Sequence, residues 1–272
     1  MKKHAIVTGA ASGIGEALGR HLAATGLHVT LTDVDGTKLE RVAHNLKRAA
    51  LSAEARVLDV TNRDQVADVI AASTDRAGRL DYLFNNAGIG MAGEFDHMRV
   101  SDWRRIFEVN LFGVIHCIDA AYPLMRAQRY GQIVNIASIA GLVPLPGQSV
   151  YVASKHALVG LTETLRLEAK AHGVNVRLAC PGVVDTPIYQ TSDVVGFQRD
   201  KVLSLWPRGI SADQCARRIW RGIQRNEHPI VITSLARGLR EIYRLSPKLF
   251  YRAAEHYIER LRKVAQAPQE AR

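Results

Sequence analysis

Cysteine is scarce in this sequence: there are three in 272 residues, Cys117, Cys180 and Cys215, far apart and without paired spacing. That argues against a disulfide framework or a thiolate metal site and points to a reducing compartment. The ten histidines show no H-x-x-H or H-x-x-x-H spacing, so no metal is expected from them either. Nor does any stretch approach the ~20 apolar residues of a membrane span. The opening M-K-K-H-A-I-V has the charge and apolar run of a signal peptide, but Gly and Ser interrupt it almost at once, and the expected location is the cytoplasm. Linkers, internal repeats and low-complexity runs are absent, so one large domain is expected, with hydrophobic content of 47% ample for its core.

Acidic residues are also in deficit, 26 against 36 basic ones, and the deficit is local. Between Arg199 and Lys263 stand 15 Lys or Arg against 6 Asp or Glu, which leaves the first 198 residues near neutral. Such a stretch suits an anionic partner, although a solvated helix face is the ordinary reading. No base-reading motif accompanies it, and no nucleic-acid partner is expected.

What is present is alternation. Short runs rich in β-branched residues, at Ala5 to Thr8, Val29 to Thr32, Ala55 to Leu58, Tyr82 to Phe84, Gln132 to Ile136, Asn175 to Ala179 and Pro229 to Ile232, read as strands. Helical periodicity separates them near Ile14 to Ala24, Gly36 to Ala49, Arg63 to Arg76, Ser101 to Arg126, Ser149 to Ala171 and Ala212 to Arg225. The pattern predicts an α/β fold with a doubly wound parallel sheet, Rossmann-like, in three α/β/α layers. In such sheets ligands bind beyond the carboxyl ends of the strands, so chemistry-bearing residues should follow strands.

They do. The first strand runs into T-G-A-A-S-G-I-G, residues 8 to 15, where Gly9, Gly13 and Gly15, with Ser12 and Ile14 between them, allow backbone to approach a pyrophosphate at a helix N-terminus. The second strand ends at Asp33, placed to accept hydrogen bonds from an adenosine ribose. A carboxylate there repels a 2′-phosphate, and no Lys or Arg stands in the glycine turn or just after Asp33, so NAD is expected rather than NADP. Asp59 and Val60 follow the third strand, and Asn86, Ala87 and Gly88 of N-N-A-G follow the fourth. Together they line one cofactor groove.

With V-N-L-F-G around Asn110, I-V-N-I-A-S ending at Ser138, and Tyr151-x-x-x-Lys155, the sequence resembles the short-chain dehydrogenase/reductase family from about Lys3 to Ile188. The resemblance implies a nicotinamide cofactor and reversible oxidation of an alcohol to a carbonyl, with Asn110, Ser138, Tyr151 and Lys155 as the catalytic group. It implies also that Lys155, with the positively charged nicotinamide of NAD, lowers the Tyr151 phenol, that Asn110 holds a proton-relay water, and that Pro181, Gly182, Val184 and Thr186 lie near the nicotinamide. A homodimer or homotetramer is the assembly it suggests.

Substrate contacts are expected from Ser138, Leu142, Gln148 and Tyr151, and from a lid over about 186–210 that holds Tyr189, Phe197 and Trp206. The lid's apolar character favours a hydrophobic secondary alcohol or ketone, steroid-like, retinoid-like, fatty or aromatic. Beyond a main domain of 1–233, residues 234–272 read as a basic helical extension, with Ser246 and Pro247 starting its second helix. Its apolar stripe can pack on its own domain, join an oligomer interface or touch an anionic membrane surface. Two alternatives to the alcohol dehydrogenase stand: a 3-ketoacyl-carrier reductase using NADPH, and a catalytically weak NAD-sensing or membrane-docking module.

Overall fold

The computed structural model describes residues 2–205 and 207–265; Trp206 of the expected lid lies outside them. Seven strands form one sheet: β1 His4–Thr8, β2 His28–Asp33, β3 Ala53–Val57, β4 Tyr82–Asn85, β5 Gly131–Ile136, β6 Val174–Pro181 and β7 Ile230–Ile232. Their order is β7-β6-β5-β4-β1-β2-β3, and every pairing is parallel. The order reverses between β1 and β4, which opens a crevice beyond their carboxyl ends.

All five residues of β1, H-A-I-V-T, are buried, as a central strand covered on both faces requires. Helices α1 Gly13–Ala24 and α2 Gly36–Arg48 cover one face, and α3 Arg63–Ala77 covers the other. Where one long helix is expected, the chain forms α4 Val100–Phe107, a π-helical turn Glu108–Phe112, and α5 Gly113–Gln128. The extra residue of a π turn re-aims what it carries, here Asn110, without ending the helix. Next on the chain comes α6 Ser149–Ala169, on the same face of the sheet as α3 and α5 and packed against α4 and the π turn. The lid folds as α7 Ile188–Thr191 and α8 Arg199–Ser204, joined to the body by an ion pair between Arg105 and Asp193. Helix α9 Ala212–Gln224 then packs on α1, its N-terminus held by a Ser211–Gln214 capping box.

The extension forms α10 Ser234–Leu245 and α11 Pro247–Ala265, and both pack on their own domain. Ala236 and Phe250 enter the core of the α3/α5/α6 face, while Leu261 is buried against Phe197 and Val202 of the lid. Arg262 closes the contact, its Nε donating to Glu94 Oε1 at 2.8 Å and its guanidinium forming an ion pair with the same oxygen at 2.7 Å.

Candidate active site

A cavity of about 850 Å³ occupies the crevice and runs from the glycine turn to α11. Its cofactor end is built on close backbone approach. A Cβ on Gly15 would stand 2.0 Å from the Gly9 carbonyl oxygen, and one on Gly9, whose φ is +66°, would stand 2.8 Å from Ala87 Cα. Thr8 Oγ1 accepts from the Asn86 and Ala87 amides at 3.0 Å, and Asn86 Nδ2 donates to the Thr8 and Gly9 carbonyls. The N-N-A-G loop therefore clamps the glycine turn rather than merely lying beside it. Gly15→Ala is expected to destabilise by about 2 kcal/mol or more, since backbone must move to admit the methyl. Thermal unfolding of the variant checks this, and an unchanged midpoint would contradict the packing described.

Asp33 is pinned by two amides, Ala11 N to Oδ2 and Asp35 N to Oδ1, each at 3.0 Å. Asp59 accepts from Thr61 N and Oγ1, and Val60 packs against Gly113 at the start of α5. All the residues expected to hold a cofactor line the cavity except Gly15, which acts through spacing alone.

Ser138 follows β5 and caps the short 3-10 turn Ile139–Gly141, its Oγ accepting from Ala140 N at 3.1 Å. Tyr151 and Lys155, one turn apart on α6, line the cavity with it. Lys155 is 4% exposed; Nζ donates to the Ile136 carbonyl at 3.1 Å and lies 5.8 Å from the centroid of the Tyr151 ring. Burial drives both groups toward neutrality. The phenol is raised to about 12, with the Ser138 hydrogen bond pulling the other way, and the ammonium is lowered to about 8. The expected lowering counted the cation of bound nicotinamide as well as Lys155; within the chain itself burial outweighs the Ser138 hydrogen bond and the phenol is raised.

Asn110 is fully buried and does not reach the cavity wall. Its Oδ1 accepts from Ile89 N at 2.9 Å, and its Nδ2 donates to Ile89 O at 3.0 Å and Ser154 Oγ at 3.1 Å. The side chain thereby ties the segment after N-N-A-G to α6. Ser154, which sequence reasoning missed, completes that tie and donates to the Tyr151 carbonyl at 2.8 Å. A serine three positions from Tyr151 on the buried side of a helix was the available signal.

At the substrate end Gln148 and Tyr189 line the cavity. Leu142 and Phe197 do not: Leu142 ends the 3-10 turn and packs into the core, and Phe197 is held by Leu261. In their place stand Leu239, Phe250, Ala254 and Tyr257 of the extension, too distant in sequence to be assigned to the site. Thr233, at φ +84°, also lines it; its Oγ1 accepts from Ala236 N and would stand 2.3 Å from a Cβ on Gly182. Among the described lining residues the only charged side chains are those of Asp33, Asp59 and Lys155.

A glycine turn entering a helix at the switch point of a parallel sheet, with a half-buried Ser and Tyr and a buried Lys beyond it, defines a Rossmann-like oxidoreductase. Residues 3–194 match the family model described as short chain dehydrogenase, and the chain belongs to the short-chain dehydrogenase/reductase family. It is 40% identical over 195 residues to D-beta-hydroxybutyrate dehydrogenase of Rhizobium meliloti, covering 70% of this chain and 74% of that one. To the 3-oxoacyl-(acyl-carrier-protein) reductase of Thermotoga maritima it is 35% identical over 207 residues, 76% of this chain and 83% of the relative. The solved structure of a short chain dehydrogenase/reductase from Burkholderia phymatum in complex with NAD superposes with a TM-score of 0.82 at 30% identity, covering 91% of this chain and 95% of that one.

Proposed function

We propose that this oxidoreductase uses NAD and interconverts a hydrophobic secondary alcohol and its ketone. The observation that carries the reading is a single cavity that begins at Asp33, passes Ser138, Tyr151 and Lys155, and ends among apolar side chains. The fit to a dinucleotide rests on the turn at Gly9 and Gly15, too tight for any side chain, and on the carboxylate anchored by Ala11 and Asp35. Bound there, nicotinamide would supply or accept the hydride. Pro181, Gly182, Val184 and Thr186 would border its reactive end.

The remaining work belongs to the chain. Ser138 holds the substrate oxygen, Tyr151 gives or takes its proton, and Lys155, steadied by the Ile136 carbonyl, turns its other donors to the cofactor ribose. Asn110 acts as a positioning residue through Ile89 and Ser154. A carboxylate substrate, such as the name of the Rhizobium relative indicates, would need a cation, and the described residues of the substrate end offer none beyond Lys155. An uncharged, apolar substrate suits it better.

The second reading, an acyl-carrier reductase using NADPH, draws on the Thermotoga relative, but Asp33 opposes a 2′-phosphate. Fluorescence titration with NADH and NADPH tests the choice. NADH is expected to bind more tightly, and Asp33→Ser to weaken it about tenfold while improving NADPH. A native preference for NADPH would bring the second reading forward.

A further inference from the structure

Helix α10 carries more apolar surface than its core contact uses. Ala236, Leu239 and Tyr243 pack inward. Leu235, Ile242 and Leu245, spaced along an adjoining face, remain 51%, 42% and 75% exposed, and Leu249 at 56% follows just past the turn into α11. Isolated exposed leucines are ordinary; a row of them on one helix is a surface. Leu235 also lines the cavity, so the row leads to the cavity's edge.

The same stretch is basic. Residues 234–265 hold eight Lys or Arg against three Glu, and Glu241 is already paired with Arg240 and Arg244. An exposed apolar row among cations is the composition of a helix that lies in a bilayer interface. A second copy of the chain fits less well, because a two-fold contact would set like charges against one another.

We infer that α10 and the start of α11 dock on a bilayer containing anionic lipid, and that a lipophilic substrate enters past Leu235. The second clause rests on the function proposed above; the first does not. The test is co-sedimentation of the full chain with vesicles of phosphatidylcholine alone and of about 3:1 phosphatidylcholine to phosphatidylserine. The native protein is expected to pellet with the mixed vesicles, less so as salt is raised. The double variant Leu245→Ser, Leu249→Ser, neither residue being in the cavity, is expected to lose about tenfold or more of that binding while keeping its melting temperature. Its turnover of a water-soluble ketone should be unchanged and that of a vesicle-dissolved ketone reduced. No pelleting with mixed vesicles overturns the inference, as does a native dimer, seen by light scattering, that the double variant converts to monomer. Binding that persists without turnover of any alcohol or ketone supports the surface and overturns only the proposed activity.

Discussion

Tyr151→Phe is expected to bind cofactor as the native protein does and to turn over about 10³-fold more slowly, a loss of about 4 kcal/mol in transition-state stabilisation. The substitution keeps a ring beside Lys155 and removes only the hydroxyl that Ser138 meets. The native protein's pH profile sharpens the claim. Because burial raises the phenol to about 12, its proton is in place throughout the neutral range. Ketone reduction, which needs that proton, should therefore be nearly flat from neutral to mildly alkaline pH. Alcohol oxidation needs the phenolate and should climb with pH, then level off above about 8 as Lys155 loses the charge that favours it. Initial rates in both directions, on native and variant protein, check this. Retained turnover in the variant would remove Tyr151 from the proton path.

Lys155→Met is expected to give a protein that is inactive yet more stable at pH 7, by about 2 kcal/mol. Lowering a buried ammonium from 10.5 to about 8 costs the folded state about 3 kcal/mol while both forms are protonated. Losing the bond to Ile136 returns about 1 kcal/mol of that. The sign follows from linkage. Between about 8 and 10.5 the unfolded chain holds at this site a proton that the folded one has released, so the Lys155 contribution to stability rises with pH through that window, against the opposite pull of Cys117, Cys180 and Cys215, whose thiols burial raises to about 12. The Met variant should lack this rise. Urea unfolding at pH 7 and again near the top of the window measures both effects; a variant less stable than native at pH 7 would show that the ammonium is not a burden to the fold.

Most of the architecture was legible because its signals are local. A strand buried on both faces needs a continuous apolar run, and β1 and β4 announce themselves in that way with A-I-V and Y-L-F. The glycines at 9, 13 and 15 and the Tyr151–Lys155 pair lie within one turn or one helix, so their spacing already fixes their geometry. The interruption of the α4 to α5 helix was not legible. Nothing in E-V-N-L-F departs from helical periodicity, and the π turn is set by what Asn110 reaches on Ile89 and Ser154. The extension's amphipathic stripe was visible, but not the neighbour it faces.

The sequence by itself determined the parallel sheet, the glycine turn and the pairing of Tyr151 with Lys155, because each depends on residues near one another along the chain. Tertiary structure alone decided three things: that the phenol and ammonium are pushed toward neutrality, that Phe197 is held away from the cavity, and that α10 and α11 supply its far wall. The reason is the same in each case. Desolvation and packing are properties of everything that surrounds a group, and what surrounds Tyr151, Lys155 and Phe197 comes from segments as much as a hundred residues away.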